Sequence, residues 1–319
     1  MLVTIVGPTA SGKSDLALDL AEALLAEAAF TKRFPGGVEI VGADAFQLYR
    51  GMDIGTAKTP PEERRGIPHH QIDVLWPDTE ASVAAYQRHA REDVLAIQNR
   101  QALPLVVGGS GLYVRALTDN LEFPPTDPEV RAHFQQLADR EGGEKLHEML
   151  EACDPQAAAQ IEPKNTRRLV RALEVIELTG KPFTATLPDG TYWQKDTRQF
   201  YLIPDPQVLD ERINARAKAM FVGGLLDETE KLLADQAHPL GVTAAKATGY
   251  REAIAVLRGD MTVPEAVEST ALSTRQLSRR QIKWFRRDKR LVSLHPEVGL
   301  NRETIMEDIV TLESRESRT

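Results

Sequence analysis

The sequence predicts an α/β fold, a parallel sheet flanked by helices with a helical insertion, on three observations. Apolar runs at Leu2–Val6, Val38–Val41 and Leu103–Val107 each end in a glycine-containing turn. Helical stretches alternate with these runs, the pattern of strands covered on both faces by crossover helices. From Glu129 to Leu178 the alternation stops and only helical segments follow one another. Parallel α/β sheets bind ligands at the carboxyl ends of their strands, so the functional residues are expected in the turns after the apolar runs.

Taken in order, Leu2–Val6, the loop Gly7–Ser14 and the Ala/Leu-rich Asp15–Ala29 read as strand, glycine loop and helix. Val38–Val41 runs into Gly42-Ala43-Asp44, and Leu103–Val107 into Gly108-Gly109. Proline and acid interrupt the pattern at Glu122–Pro128, and the helical stretch that follows breaks at Gly142-Gly143 and Asp154-Pro155. Tyr201–Ile203 reads as a return to the sheet, followed by helical Asp210–Ala219 and Leu225–Ala234. Pro264–Arg287 is a longer helix with proline in its first turn, where the missing N–H costs nothing. Leu291, Val292 and Leu294 form a last apolar trio, and the tail after Glu297 is expected to be peripheral. This gives a core over 1–120, a helical insertion over 121–195, and over 196–319 the rest of the core with basic helices.

Composition narrows the function classes. At 319 residues the chain suits one sizeable core with an attachment, and 42% hydrophobic with 27% charged residues is ordinary for a folded protein. No apolar run is long enough to span a bilayer, and the N-terminus enters a strand without a basic flank, so no membrane and a cytoplasmic location are expected. The single Cys153 excludes an internal disulfide and a cysteine metal cluster. A net charge of −8 argues against non-specific coating of nucleic acid, yet Arg275–Arg290 holds eight basic residues against one acid, Asp288.

Gly7-Pro8-Thr9-Ala10-Ser11-Gly12-Lys13-Ser14 satisfies GxxxxGK[ST] between a strand and a helix, the context that makes it a P-loop. Successive N–H groups and the helix N-terminus face phosphate oxygens, Lys13 neutralises charge, and Ser14 can ligate Mg²⁺. The fold is therefore P-loop NTPase-like, binding a diphosphate or triphosphate. Asp44 closes the second run and opens DAFQLYRGMDIGTAK, too polar for a core strand. On spacing alone three roles are open to it: Mg²⁺ ligand, proton acceptor, or helix N-cap. The turn Gly108–Tyr113 would point N–H groups and the Ser110 hydroxyl at the same ligand. Pro68–Asp73 holds adjacent His69 and His70, which read as structural or hydrogen-bonding groups more readily than as metal ligands.

Arg275, Arg279, Lys283, Arg286 and Arg290 recur at helical spacing and place five cations on one face. A solvated charged face is the bland reading; phosphate-backbone binding is preferred because the stripe repels itself without an anion beside it. Leu277, Ile282, Trp284 and Phe285 would seat this helix. A second cluster, Lys164, Arg167, Arg168 and Arg171, falls in the insertion.

Together these motifs resemble one family. GPTASGKS, DAFQLYRGMDIGTAK, PHHQID, GGSGLY, RRLVRALEV, ARAKAMFVGGLLDE, GYRE and STRQLSRRQIKWFRR occur in the order found in tRNA dimethylallyltransferases, over nearly the whole chain. The resemblance implies prenyl transfer from dimethylallyl diphosphate to N6 of the adenine 3′-adjacent to the anticodon, in tRNAs reading codons that begin with U. It implies that Gly7 and Thr9–Ser14 hold the donor diphosphate, with Ser14 toward Mg²⁺, and that Asp44 is the general base. Ser110 and Arg216 would stabilise the departing oxygens. Ala45, Phe46 and Gln47 would contact tRNA, and Arg167, Arg168, Arg171, Arg275, Arg279 and Lys283 would grip the anticodon stem-loop, in an enzyme acting as a monomer. Where the family usually has DSMQ and GGTGLY, this chain has Ala45, Phe46 and Ser110. Alternatives from other classes are a transferase prenylating free AMP or ADP, a small-molecule P-loop kinase, and a non-catalytic nucleotide-binding module.

Overall fold

A computed structural model describes residues 1–183, 190–295 and 298–310. Among them the chain divides into two compact units, Met1–Thr118 with Gln194–Thr319, and Asp119–Trp193. The chain order is β1 (Leu2–Val6), α1 (Lys13–Ala26), α2 (Ala28–Arg33), β2 (Val38–Gly42), β3 (His69–His70), α3 (Val83–Asn99), β4 (Leu103–Gly108) and α4 (Gly111–Thr118). After the insertion follow β5 (Thr197–Leu202), α9 (Pro206–Val222), α10 (Leu225–Ala234), α11 (Tyr250–Leu257), α12 (Val263–Phe285), β6 (Val292–Leu294) and α13 (Val298–Val310).

All strand pairs are parallel, in the order β3-β2-β4-β1-β5-β6. The predicted parallel sheet is therefore present. The chain leaves β1 toward β2 and leaves β4 toward β5, so β1 and β4 are neighbours whose connections depart in opposite directions. That is a topological switch point, where α/β sheets form their ligand crevice. β1, β2 and the first four residues of β4 are buried, as the apolar runs required.

Three differences from the sequence reading have physical causes. β3 gave no apolar signal because it is two histidines at the sheet edge; His70 Nε2 lies 2.6 Å from Glu39 Oε2, and Arg100 pairs with the same carboxylate at 2.8 Å. β5 begins at Thr197, earlier than expected, with Thr197 and Gln199 buried; Thr197 Oγ1 donates to Gln194 O at 2.6 Å. The tail is not peripheral: Ile305 and Ile309 of α13 are buried in the same core as Leu16, Leu20 and Leu24 of α1. Residues 311–319 lie outside the described residues.

The second unit is helical: α5 (Pro128–Glu141), α6 (Gly143–Cys153), α7 (Pro155–Ala158) and α8 (Thr166–Thr179). Phe134, Leu146, Leu150, Leu169 and Leu173 form its own core. Asp127 caps α5, accepting from Glu129 and Val130 N–H at 2.8 and 3.1 Å. No helix among the described residues is long and apolar enough to cross a membrane.

Candidate active site

The loop after β1 takes its shape from backbone demands. Gly12, just before α1, sits at φ 87°, which glycine adopts without strain, and Ala10 at φ 62° is small enough to follow. The first-turn amides of α1, starting at Lys13, have no intrahelical partner and carry the positive end of the helix dipole. The half-buried Lys13 folds back, and its Nζ donates to Pro8 O at 3.2 Å. Burial pulls the Lys13 ammonium down to about 8, Asp44 pulls it back up, and Arg216 lowers it again. Burial likewise lowers the Arg216 guanidinium, opposed by Asp44.

Three cavities open around this loop. Lys13, Ser14, Asp44, Gln47, His69, Arg216 and Gln281 line the first, with apolar walls from Ile40, Ile72, Val107 and Leu277. The second runs along the outside of the loop and collects Gly12, Lys13, Ser14, Arg65, Arg212 and Arg216. In the third, Thr9, Asp44 and Arg216 meet Phe46, Ile213, Met220, Thr248, Thr270 and Thr274. Arg216 borders all three, and Asp44 borders the first and third.

Asp44 is anchored by its own turn: Oδ1 accepts from Phe46 N–H at 2.9 Å and Gln47 N–H at 3.4 Å. No helix starts here, so the helix N-cap left open by the sequence is not formed; Asp44 caps a turn instead, and that cap engages one carboxylate oxygen only. Gln47 Nε2 donates to Thr56 O and Ala57 O at 3.1 and 3.3 Å, which ties the turn to the next loop and leaves Oε1 as its group for a ligand.

Residues 47–288 match the model of the IPP transferase family. The chain belongs to that family. A tRNA dimethylallyltransferase of Nocardioides sp. is 49% identical over 290 residues, covering 91% of this chain and 89% of the relative. The crystal structure of a full-length tRNA isopentenylpyrophosphate transferase from Bacillus halodurans is 34% identical with a TM-score of 0.68, covering 100% of this chain and 99% of that one. A tRNA isopentenylpyrophosphate transferase from Staphylococcus epidermidis is similar at 31% identity and a TM-score of 0.65, covering 97% and 98%. The family resemblance carried by the eight motifs is borne out, and so is the P-loop-like α/β fold.

The structure brings Thr9, Ala10, Gly12, Lys13, Ser14, Asp44, Phe46, Gln47 and Arg216 to these cavities, but not Gly7, Ser11, Ala45 or Ser110. Gly7 is needed for packing, since a Cβ there would lie 2.9 Å from Leu202 O. The Ser110 N–H donates to Ala43 O at 3.4 Å, so the expectation that this amide faces the ligand fails.

The basic stripe also needs correction, because α12 ends at Phe285. Arg286 caps the helix, and Arg290 turns back so that its Nε donates to Asp288 Oδ1 at 2.8 Å. On the helix, Arg275 donates to Asn214 Oδ1, Arg279 lies 3.9 Å from Asp210 while 73% exposed, and Lys283 is exposed. Phe285 is buried and Ile282 packs inward, whereas Trp284 is half-exposed over Gly111. In the helical unit Arg167 and Arg168 are exposed, but Arg171 is committed to structure: it donates to Glu174, Pro124 O and Pro125 O at 2.9, 2.8 and 3.0 Å. Glu174 is fully buried, so removing Arg171 would strip a partner from a buried carboxylate.

Three groups near the cavities were missed by sequence reasoning. Glu228 accepts from the N–H groups of Asp53, Ile54 and Gly55 and from Tyr250 Oη, clamping the loop that ends in Thr56 and Ala57. Lys58 Nζ, buried, bonds Asp53 and Asp73 at 2.8 and 2.6 Å and fixes the other side of that loop. Gln281 reaches from α12 to Thr9 N–H and Gly109 O. It lies within the STRQLSRRQIKWFRR stretch, two residues from both Arg279 and Lys283 and hence on the opposite helical face.

Proposed function

We propose that this chain transfers the dimethylallyl group of dimethylallyl diphosphate to N6 of the adenine 3′-adjacent to the anticodon, in tRNAs reading codons that begin with U, in the cytoplasm. The observation carrying this reading is that Asp44 and Arg216 border both the cavity holding Lys13 and Ser14 and the cavity walled by Phe46 and Met220. One carboxylate and one cation thus face donor and acceptor together. The names of the relatives supply the substrate class, tRNA and a prenyl diphosphate.

In this reading the amine on N6, weakened because its lone pair is delocalised into the ring, attacks the allylic C1. The C1–O bond breaks, its electron pair leaves with diphosphate, and the N6 proton passes to Asp44, whose Oδ2 is left for it by the Oδ1 cap. Lys13, Arg216 and the first-turn amides of α1 receive the departing charge. Ser110 itself lines none of the cavities but follows Gly108, which borders the first, and only its hydroxyl is kept in this reading as a further contact for diphosphate.

No three His, Cys, Asp or Glu side chains among the described residues cluster to cage a metal. Mg²⁺ does not need such a cage: it keeps water and substrate phosphate oxygens beside one or two protein ligands, which suits the Ser14 hydroxyl at the first cavity. When bound, the ion neutralises charge on the leaving diphosphate.

Phe46, Thr248 and Thr274 wall a pocket suited to an extruded base, as chemistry on a paired or stacked base requires. We assign the phosphate contacts to Arg275, Arg279 and Lys283 on α12 and to Arg167 and Arg168 on α8. Arg279→Ala with Lys283→Ala is expected to weaken binding of an anticodon stem-loop and to reduce the slope of log K against log salt by about 2, with the donor KM unchanged. Titrations at several salt concentrations check this, and an unchanged slope would remove the stripe from the interface.

The reading itself is tested by incubating the full chain with Mg²⁺, radiolabelled dimethylallyl diphosphate, and either unmodified tRNA or AMP. Label in tRNA alone is expected. Label in AMP alone, or in neither, overturns the assignment.

A further inference from the structure

We infer that Gln281 is a positioning residue for the transfer: one carboxamide on the inner side of α12 fixes both rims of the donor cavity. This rests on the proposed function and adds to it a residue with no direct part in the chemistry. Gln281 Oε1 accepts from Thr9 N–H at 2.8 Å, and Nε2 donates to Gly109 O at 2.9 Å. These partners lie in the turn after β1 and the turn after β4, the two loops that meet at the switch point. Gln281 is 8% exposed and borders the same cavity as Lys13 and Asp44.

Both bonds are hard to replace. A carboxamide accepts and donates at once without depending on pH, as a backbone N–H on one side and a carbonyl on the other demand. The approach is also close: a Cβ on Gly109 would sit 2.7 Å from Gln281 Nε2, so the glycine loop and the glutamine are fitted to each other. With Thr9 N–H turned toward Gln281, the amides offered to diphosphate begin further along the loop, at the N-terminus of α1 beside Lys13. Gln281 therefore sets where the phosphate cradle starts and holds it in register with the opposite rim. On the other face of α12 stand Arg279 and Lys283, so the helix that meets the polyanion also fixes the donor loop.

Reactive groups displaced by a fraction of an ångström lose rate steeply. Gln281→Met, similar in length but unable to make either bond, is expected to raise the donor KM and lower kcat by about tenfold each, with binding of the anticodon stem-loop unchanged. Gln281→Glu gives a sharper readout. Its carboxylate accepts from Thr9 N–H but repels Gly109 O, whereas the protonated acid makes both contacts as glutamine does. Measured on the full chain with dimethylallyl diphosphate and tRNA, the ratio of Gln281→Glu to wild-type kcat/KM is expected to climb as pH falls, while the Gln281→Met ratio stays flat. A wild-type donor KM and kcat in Gln281→Met, or a flat ratio in Gln281→Glu, would overturn the inference; if Gln281→Met does not fold, the Gln281→Glu profile decides alone. A wild-type chain that labels no tRNA would instead bring down the proposed function, so the two failures are distinguishable.

Discussion

Asp44→Asn is expected to bind both substrates and to turn over about 10²–10⁴-fold more slowly, the range lost with a positioned proton acceptor. Asparagine keeps the Oδ1 acceptor that caps Phe46 and Gln47 N–H, so the turn should hold its shape. What it loses is the anionic second oxygen. Two effects on donor binding oppose each other: removing a negative charge beside the diphosphate favours binding, whereas Lys13 loses the carboxylate that supports its charged form. Lys13 is lowered to about 8 with that carboxylate in place and falls further without it, so the two effects offset each other and the donor dissociation constant should change far less than the rate at pH 7. Equilibrium binding of labelled donor and single-turnover quench experiments separate binding from chemistry. A single-turnover rate within about threefold of wild type would reduce Asp44 to a turn cap, the role its geometry already demonstrates.

The readability of this site from sequence follows from which groups do the work. Where function rests on backbone shape, the sequence is explicit: only a chain with glycine at position 12 and a small residue at position 10 easily takes the loop conformation seen at φ 87° and 62°. Asp44 was legible as a residue and ambiguous as a role, because the capped oxygen and the exposed oxygen belong to one side chain. The basic stripe was over-read, since helical spacing holds only while the helix lasts, and Asp288 draws Arg290 away just beyond its end. Gln281 and Glu228 were passed over for a different reason. Their partners are backbone groups more than 170 residues away, and a peptide N–H or carbonyl leaves no mark on composition or periodicity. β3 and α13 show the same limit in the fold: an edge strand of two histidines has no apolar period, and the burial of Ile305 and Ile309 depends on α1 lying beside them.

Lys13→Ala is expected to fold normally and to bind dimethylallyl diphosphate about 100-fold more weakly, the loss of a buried charge-assisted contact. The pH dependence makes this specific. In the free protein Lys13 titrates near 8 instead of its ordinary 10.5, chiefly because burial penalises the ammonium. Between those values the native chain holds fewer protons than the unfolded chain, so Lys13 makes stability rise with pH across that window, and below pH 8 its buried charge is a burden on the fold. Alanine removes that burden, and the variant should melt at or above the wild-type temperature at pH 7. Diphosphate gives the ammonium a partner and favours its charged form. Above about pH 8 wild-type donor binding must therefore take up a proton, and the apparent Kd should rise with pH, toward tenfold per unit, while staying flat below. Calorimetric titration at pH 8.5 in two buffers of different ionisation enthalpy measures that proton directly. Uptake in the wild type and none in Lys13→Ala would identify Lys13 as the titrating contact; equal uptake in both would place the proton on another group and leave the loop amides and Arg216 as the main hold on the donor.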